Sequence, residues 1–252
     1  MERYRIRLLT AVKRLRHLSR YLGGVERETL VPLIFVALGL FCFIKISSEV
    51  LEGDTQAFDD RIVLRMRNVT NIALPIGPPW LQEMGRDATA LGGLGWLFLA
   101  TIAVAGYLFM DRRPHLAWFL LISTSSGLIV SLILKGVFSR PRPDLVPHLS
   151  NVYTSSFPSG HSMLAAVTYL TLGTLLSSVV KRPQLKAYFL IVAMTITVIV
   201  GCSRIYLGVH YPTDVIAGWV AGLSWALICS TIARRLQIIG RIEKSKTMIP
   251  SE

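Results

Sequence analysis

Charge is scarce in this chain of 252 residues, where Asp, Glu, Lys and Arg together make up 17%. With 52% hydrophobic residues and a mean hydropathy of +0.52, that scarcity argues against a water-soluble domain and for a chain built for lipid. Acidic residues are scarcer than basic ones, 15 against 27, for a net charge of +12. The basic residues flank apolar runs and do not gather on one polar face. No nucleic-acid partner is therefore expected, and anionic lipid headgroups are. Cysteine is nearly missing as well: Cys42, Cys202 and Cys229 are single, widely spaced and within or beside apolar runs. That excludes a disulfide framework and a CxxC metal site, and reads as small buried hydrophobes. No repeat, low-complexity tract or soluble domain stands out.

What is present is a series of uncharged stretches: Thr29 to Ile44, Ala88 to Met110, Pro114 to Leu134, Ser162 to Val180, Ala187 to Ser203 and Val215 to Ala233. Crossing a hydrocarbon core of roughly 30 Å takes about 17–25 helical residues. Five of the stretches meet or approach that length. The first does so if Lys45 snorkels and Ile46 to Ser48 extend the span. The expected fold is all-α and polytopic, with six transmembrane helices over residues 29–233. Residues 1–28 form a basic amphipathic N-terminal segment and 234–252 a tail. Arg3 to Arg20 mixes cations with Tyr4, Ile6, Leu8, Leu9, Val12 and Leu15, as a helix lying on anionic headgroups would. It is too long and too charged to be the leading region of a cleaved signal peptide.

Eighteen of the 27 Lys and Arg fall on one side if the N-terminus is cytoplasmic. Both termini are then expected in the cytoplasm, in a bacterial-type inner (plasma) membrane. The long connection 49–87 faces outward. Its 58–67 portion has the mixed pattern of a short amphipathic helix, and Pro75, Pro78 and Pro79 break it before an interfacial Trp80. It is expected to serve as a structural apron, or as a lid or substrate-admitting wall.

Eleven residues in three clusters border the spans on that same outer face: Lys135, Arg142 and Pro143; Pro158, Ser159, Gly160 and His161; Ser203, Arg204, His210 and Asp214. Ionisable residues at membrane depth are costly unless they serve a function. Lys135, Arg142 and Arg204 suit the three equatorial oxygens of a phosphoryl group in transfer. Ser159 and the Gly160 N–H, just ahead of a helix, extend that cradle. His210 and Asp214 are four apart, on one helix face, so the carboxylate can orient the imidazole as a nucleophile toward phosphorus. His161 remains as general acid and then general base. His17, His115 and His148 read as interfacial, Arg140 as a snorkelling anchor, Asp87 and Asp144 as loop or capping residues, and Tyr206 and Tyr211 as aromatics at the site edge. The donors available make a poor shell for Mg²⁺ or Zn²⁺, and no metal or other cofactor is expected.

The three clusters, at these spacings, resemble the signature of the type 2 phosphatidic acid phosphatase superfamily, and no fixed position departs from it. The resemblance implies a membrane lipid phosphatase that needs no metal and works through a phosphohistidine. In it His210 is the nucleophile, Asp214 its partner and His161 the acid and base, while Lys135, Arg142, Ser159, Gly160 and Arg204 hold the phosphate. The expected partner is a lipid phosphate or pyrophosphate monoester: undecaprenyl pyrophosphate, phosphatidylglycerol phosphate, phosphatidic acid, diacylglycerol pyrophosphate or the phosphate of lipid A. A phospholipid-binding or transport protein with an anion pocket and no turnover is the alternative. Neither the physiological lipid nor the oligomeric state is encoded in these motifs.

Overall fold

The computed structural model describes residues 27–150 and 154–238. Among these, eight helices follow in order. They are α1 (Arg27–Glu52), α2 (Gln56–Arg65), α3 (Pro79–Ala90), α4 (Leu94–Met110), α5 (Pro114–Val137), α6 (Gly160–Val179), α7 (Pro183–Tyr206) and α8 (Pro212–Ile238). No strand is present among them beyond a single bridge between Arg67 and Pro75. The expected surface helix, Arg3 to Arg20, and the tail from residue 239 lie outside the described residues, and α8 runs past the expected end at Ala233.

Five helices are long and apolar enough to cross a membrane. The sixth expected span is the pair α3 and α4, which counts as one only if its 50° bend is accepted. The bend falls at Leu91 to Gly93, where neither Gly92 nor Gly93 brings a side chain to hold the helix straight. Large apolar side chains such as Phe41, Ile44, Phe98, Leu99 and Ile191 point outward. A soluble protein would bury such a girdle; here it meets lipid. The first span is longer than its uncharged run, Leu30–Glu52. Lys45 and Glu49 pair one turn apart at 3.1 Å, so the two charges that end the apolar run do not end the helix.

At the centre, α6 packs against α7 and α8, with α1 on α8 and α5 on α6. The α6–α8 crossing is made close by Gly218 and Gly222, a GxxxG pair on α8. A Cβ on Gly218 would stand 2.6 Å from the Ser159 carbonyl oxygen, and one on Gly222 would stand 2.5 Å from that of Met163. Both distances are impossible for real atoms, so only glycine lets the two backbones approach this far. That approach brings the start of α6, which carries His161, against the start of α8, which carries Asp214.

Part of the connection 49–87 docks on the bundle. Its helix α2 buries Val63 in a cluster with Val146, Ile205, Tyr211 and Val215, while Phe58 and Leu64 stay exposed. Phe138 and Phe157 pack edge to face, with ring centroids 5.0 Å apart and Phe43 of α1 beside them.

Candidate active site

All three clusters arrive at one end of the bundle, because spans of alternating direction begin or end there. Lys135 closes α5, Gly160 and His161 open α6, Ser203 and Arg204 close α7, and Asp214 opens α8. Ser159 is the N-cap of α6: its Oγ accepts from the Ser162 hydroxyl at 2.9 Å and the Ser162 N–H at 3.4 Å. Its own N–H donates to the Asp214 carbonyl at 2.9 Å, which ties the turn at 158–161 to α8. Gly160 matters for space: a Cβ there would stand 3.0 Å from Lys135 Cε.

Asp214 is fully buried and both oxygens of its carboxylate accept hydrogen bonds. Oδ1 accepts from Arg140 at 2.7 Å. Oδ2 accepts from the Ser156 hydroxyl, from the Tyr211 N–H at 2.9 Å and from His210 Nδ1 at 3.4 Å. A carboxylate that only accepts is ionised. His210 Nε2 stands 3.2 Å from an Arg142 guanidinium nitrogen. Arginine can only donate, so Nε2 is the accepting nitrogen and the ring proton sits on Nδ1, facing Asp214. Burial pulls the His210 pKa from 6.5 to about 3, the hydrogen bond and charge of Asp214 opposing this and Arg142 and Arg204 adding to it. The ring is therefore neutral, with a lone pair on Nε2.

The cations are anchored from behind. Lys135 Nζ donates to the Ser155 carbonyl at 2.8 Å. Arg142 donates to the carbonyls of Thr154 at 2.9 Å and Val209 at 2.7 Å. Arg204, 1% exposed, donates to Thr89 Oγ1 of α3 at 2.7 Å, and its Nε has no partner among the described residues. His161 lies within electrostatic reach of Arg204, His210, Lys135 and Arg142, beside the break at Gly92. Every residue expected in the site is thus gathered at one place. Among the described residues, no group of three or more His, Cys, Asp or Glu converges as a metal site.

Four residues were not foreseen. Arg140, expected at the lipid interface, turns inward and bridges two buried carboxylates, Asp214 and Asp59, at 2.7 Å each. It also donates to Thr213 at 2.8 Å, and its guanidinium carbon lies 4.3 Å from the centroid of the Tyr211 ring. Burial opposes its charge, but Asp214 and Asp59 more than offset that, and its pKa is raised. Asp59, from α2, accepts from the Thr213 N–H at 3.1 Å and from the Thr213 hydroxyl at 2.5 Å. It therefore caps α8 from a different helix, where a negative charge favours the helix N-terminus. Ser156 holds Asp214, and Thr89 holds Arg204. The repeated Arg-Pro at 140–143 and the placement of Asp59 one turn from the apolar Val63 were the available signals.

Residues 116–238 match the model of the PAP2 superfamily. Phosphatidylglycerophosphatase B of Bacillus subtilis (strain 168) is 34% identical over 75% of this chain and 89% of its own length. The chain belongs to the PAP2 superfamily. The lipid A 1-phosphatase of Rhizobium etli is 26% identical over 67% of this chain and 80% of the relative. The crystal structure of a transmembrane PAP2-type phosphatidylglycerolphosphate phosphatase from Bacillus subtilis superposes with a TM-score of 0.72 at 28% identity. It covers 80% of this chain and 96% of that one. This member of the superfamily is an integral membrane protein and a lipid phosphatase, which sets aside the reading as a binder without turnover.

Proposed function

We propose that the enzyme removes phosphate from a membrane lipid monoester or pyrophosphate in two displacements at His210, without a metal. His210 Nε2 attacks phosphorus, its proton-bearing Nδ1 held by Asp214, while His161 protonates the leaving lipid oxygen. His161 then takes a proton from water, which attacks the phosphohistidine, frees orthophosphate and restores neutral His210. Lys135, Arg142, Arg204, the Ser159 hydroxyl and the Gly160 N–H hold the phosphoryl oxygens as charge spreads over them. Arg140 and Asp59 are positioning residues, since they act on Asp214 rather than on the phosphate.

The observation that supports this reading most is the placement of His210 between two partners of opposite kind. An ionised carboxylate faces Nδ1 and a guanidinium faces the lone pair of Nε2. A phosphoryl group drawn in by the cations takes Arg142 from Nε2 as its ligand and leaves that nitrogen free to attack. Rapid quench with a ³²P-labelled lipid should trap acid-labile, base-stable label on the wild-type chain and none on His210→Ala. Phosphate release that survives in the alanine variant would sink the mechanism. Release that collapses in EDTA would sink the reading without metal.

The sequence puts 18 of the 27 Lys and Arg in the two termini and the connections on their side, which supports an orientation with the site outside the cytoplasm and both termini within it. The basic N-terminal segment is assigned to anionic headgroups on that inner side. Among candidate lipids, phosphatidylglycerol phosphate is favoured by the likeness to the phosphatidylglycerophosphatase B sequence. A panel of the five lipid classes named above, compared by kcat/KM, tests that choice.

A further inference from the structure

A cavity of about 930 Å³ lies at the end of the bundle away from the catalytic groups, between the start of α5, the ends of α6 and α8 and the start of α7. Its walls are mostly apolar, and Trp118, Ile122 and Ile232 there are open to lipid at 56%, 61% and 54% exposure. Its mouth carries Arg113, Lys186 and Arg234. His115 also lines it, and its buried Nε2 has no hydrogen-bond partner among the described residues. In this part of the molecule, residues 111–113, 181–186 and 234–235 hold seven basic side chains and one acidic one. That acid, Asp111, pairs with Arg113 at 2.9 Å.

We propose that this cavity binds an anionic phospholipid of the leaflet opposite the catalytic site, its phosphodiester at Arg113, Lys186 and His115 and an acyl chain along the apolar wall. The charge at the mouth selects a negative headgroup, and basic pockets between transmembrane helices suit such headgroups. The lateral opening selects a lipid over a soluble anion, because a soluble ligand gains nothing from walls that face hydrocarbon. The volume lies within the roughly 300–1,000 Å³ of small-molecule sites. The lipid is bound and not consumed: no residue of the phosphate cradle lines this cavity, and a phosphodiester offers no terminal phosphate. The proposal is independent of the chemistry at His210.

The test is native mass spectrometry of the purified protein in detergent with phosphatidylserine or phosphatidylcholine added. Phosphatidylserine is expected to be retained about tenfold over phosphatidylcholine. Arg113→Gln/Lys186→Gln is expected to abolish that preference while keeping phosphate release from a lipid substrate, which shows that the variant is folded. Equal retention of the two lipids, or a preference unchanged in the double variant, overturns the proposal. So does displacement by inorganic phosphate, which places the lipid in the catalytic cleft. Equal displacement by water-soluble glycerophosphoserine overturns it too, since the acyl chain then contributes nothing.

Discussion

The side chains around Asp214 divide by what their loss should do. Asp214→Asn keeps the shape but loses the charge that fixes the His210 tautomer, and a loss in kcat of about 10⁴ is expected. Asp59→Asn removes one of the two carboxylates under Arg140 and leaves the phosphate cradle intact. A fall in kcat of about tenfold with KM little changed is expected; a rise in KM alone would mean that Asp59 acts on substrate binding. His210 adds a pH signature. Its folded pKa of about 3 lies below the ordinary 6.5, so between these values protons bind the unfolded chain preferentially. Stability is complete above about pH 6.5 and is lost as pH falls toward 3, by on the order of 1 kcal/mol per pH unit. Melting temperatures in detergent should show that slope in the wild type and a flatter one in His210→Asn; equal slopes would contradict it. The motif residues were legible because short fixed spacings carry them. Arg140 was not, because an arginine at a span end is ordinarily an anchor, and its two carboxylates come from residues 81 and 74 positions away.

Helix ends and crossings explain how such distant residues meet. Gly218→Ala would force α6 off α8 by several tenths of an ångström, at a cost of about 1–3 kcal/mol. A melting temperature lower by several degrees and a large loss of kcat are expected together, because the same crossing sets His161 against α8. Gly106→Ala, on α4 with open space around it, should leave both unchanged. Matching losses in the two variants would show that the crossing is not special. The spans were readable from uncharged length. Two details were not. The expected extension of the first span reached Ser48, whereas the Lys45–Glu49 pair carries α1 on to Glu52, and the bend between α3 and α4 lies at two glycines whose surroundings no local pattern reveals. The docking of α2 was equally hidden, since the Thr213 N–H donates to a carboxylate 154 positions earlier in the chain.

For the molecule as a whole, the two ends of the bundle have opposite tasks: one gathers cations inward around a buried site, the other displays them. Orientation can be read by labelling intact cells with a membrane-impermeant maleimide after the three native cysteines are replaced. Asn68→Cys, exposed between α2 and α3, should label in intact cells, and Arg182→Cys, exposed between α6 and α7, only after lysis. The reverse pattern would invert the topology.

Arg142 resting on His210 Nε2 has a consequence for anyone seeking to block the enzyme. In the mechanism proposed above, the attacking nitrogen is guarded by a cation that an oxyanion can lure away. Uncharged electrophiles aimed at histidine meet a closed door, whereas compact anions carry their own key. A useful inhibitor is therefore to be sought among stable tetrahedral anions carrying a greasy tail, rather than among alkylating reagents.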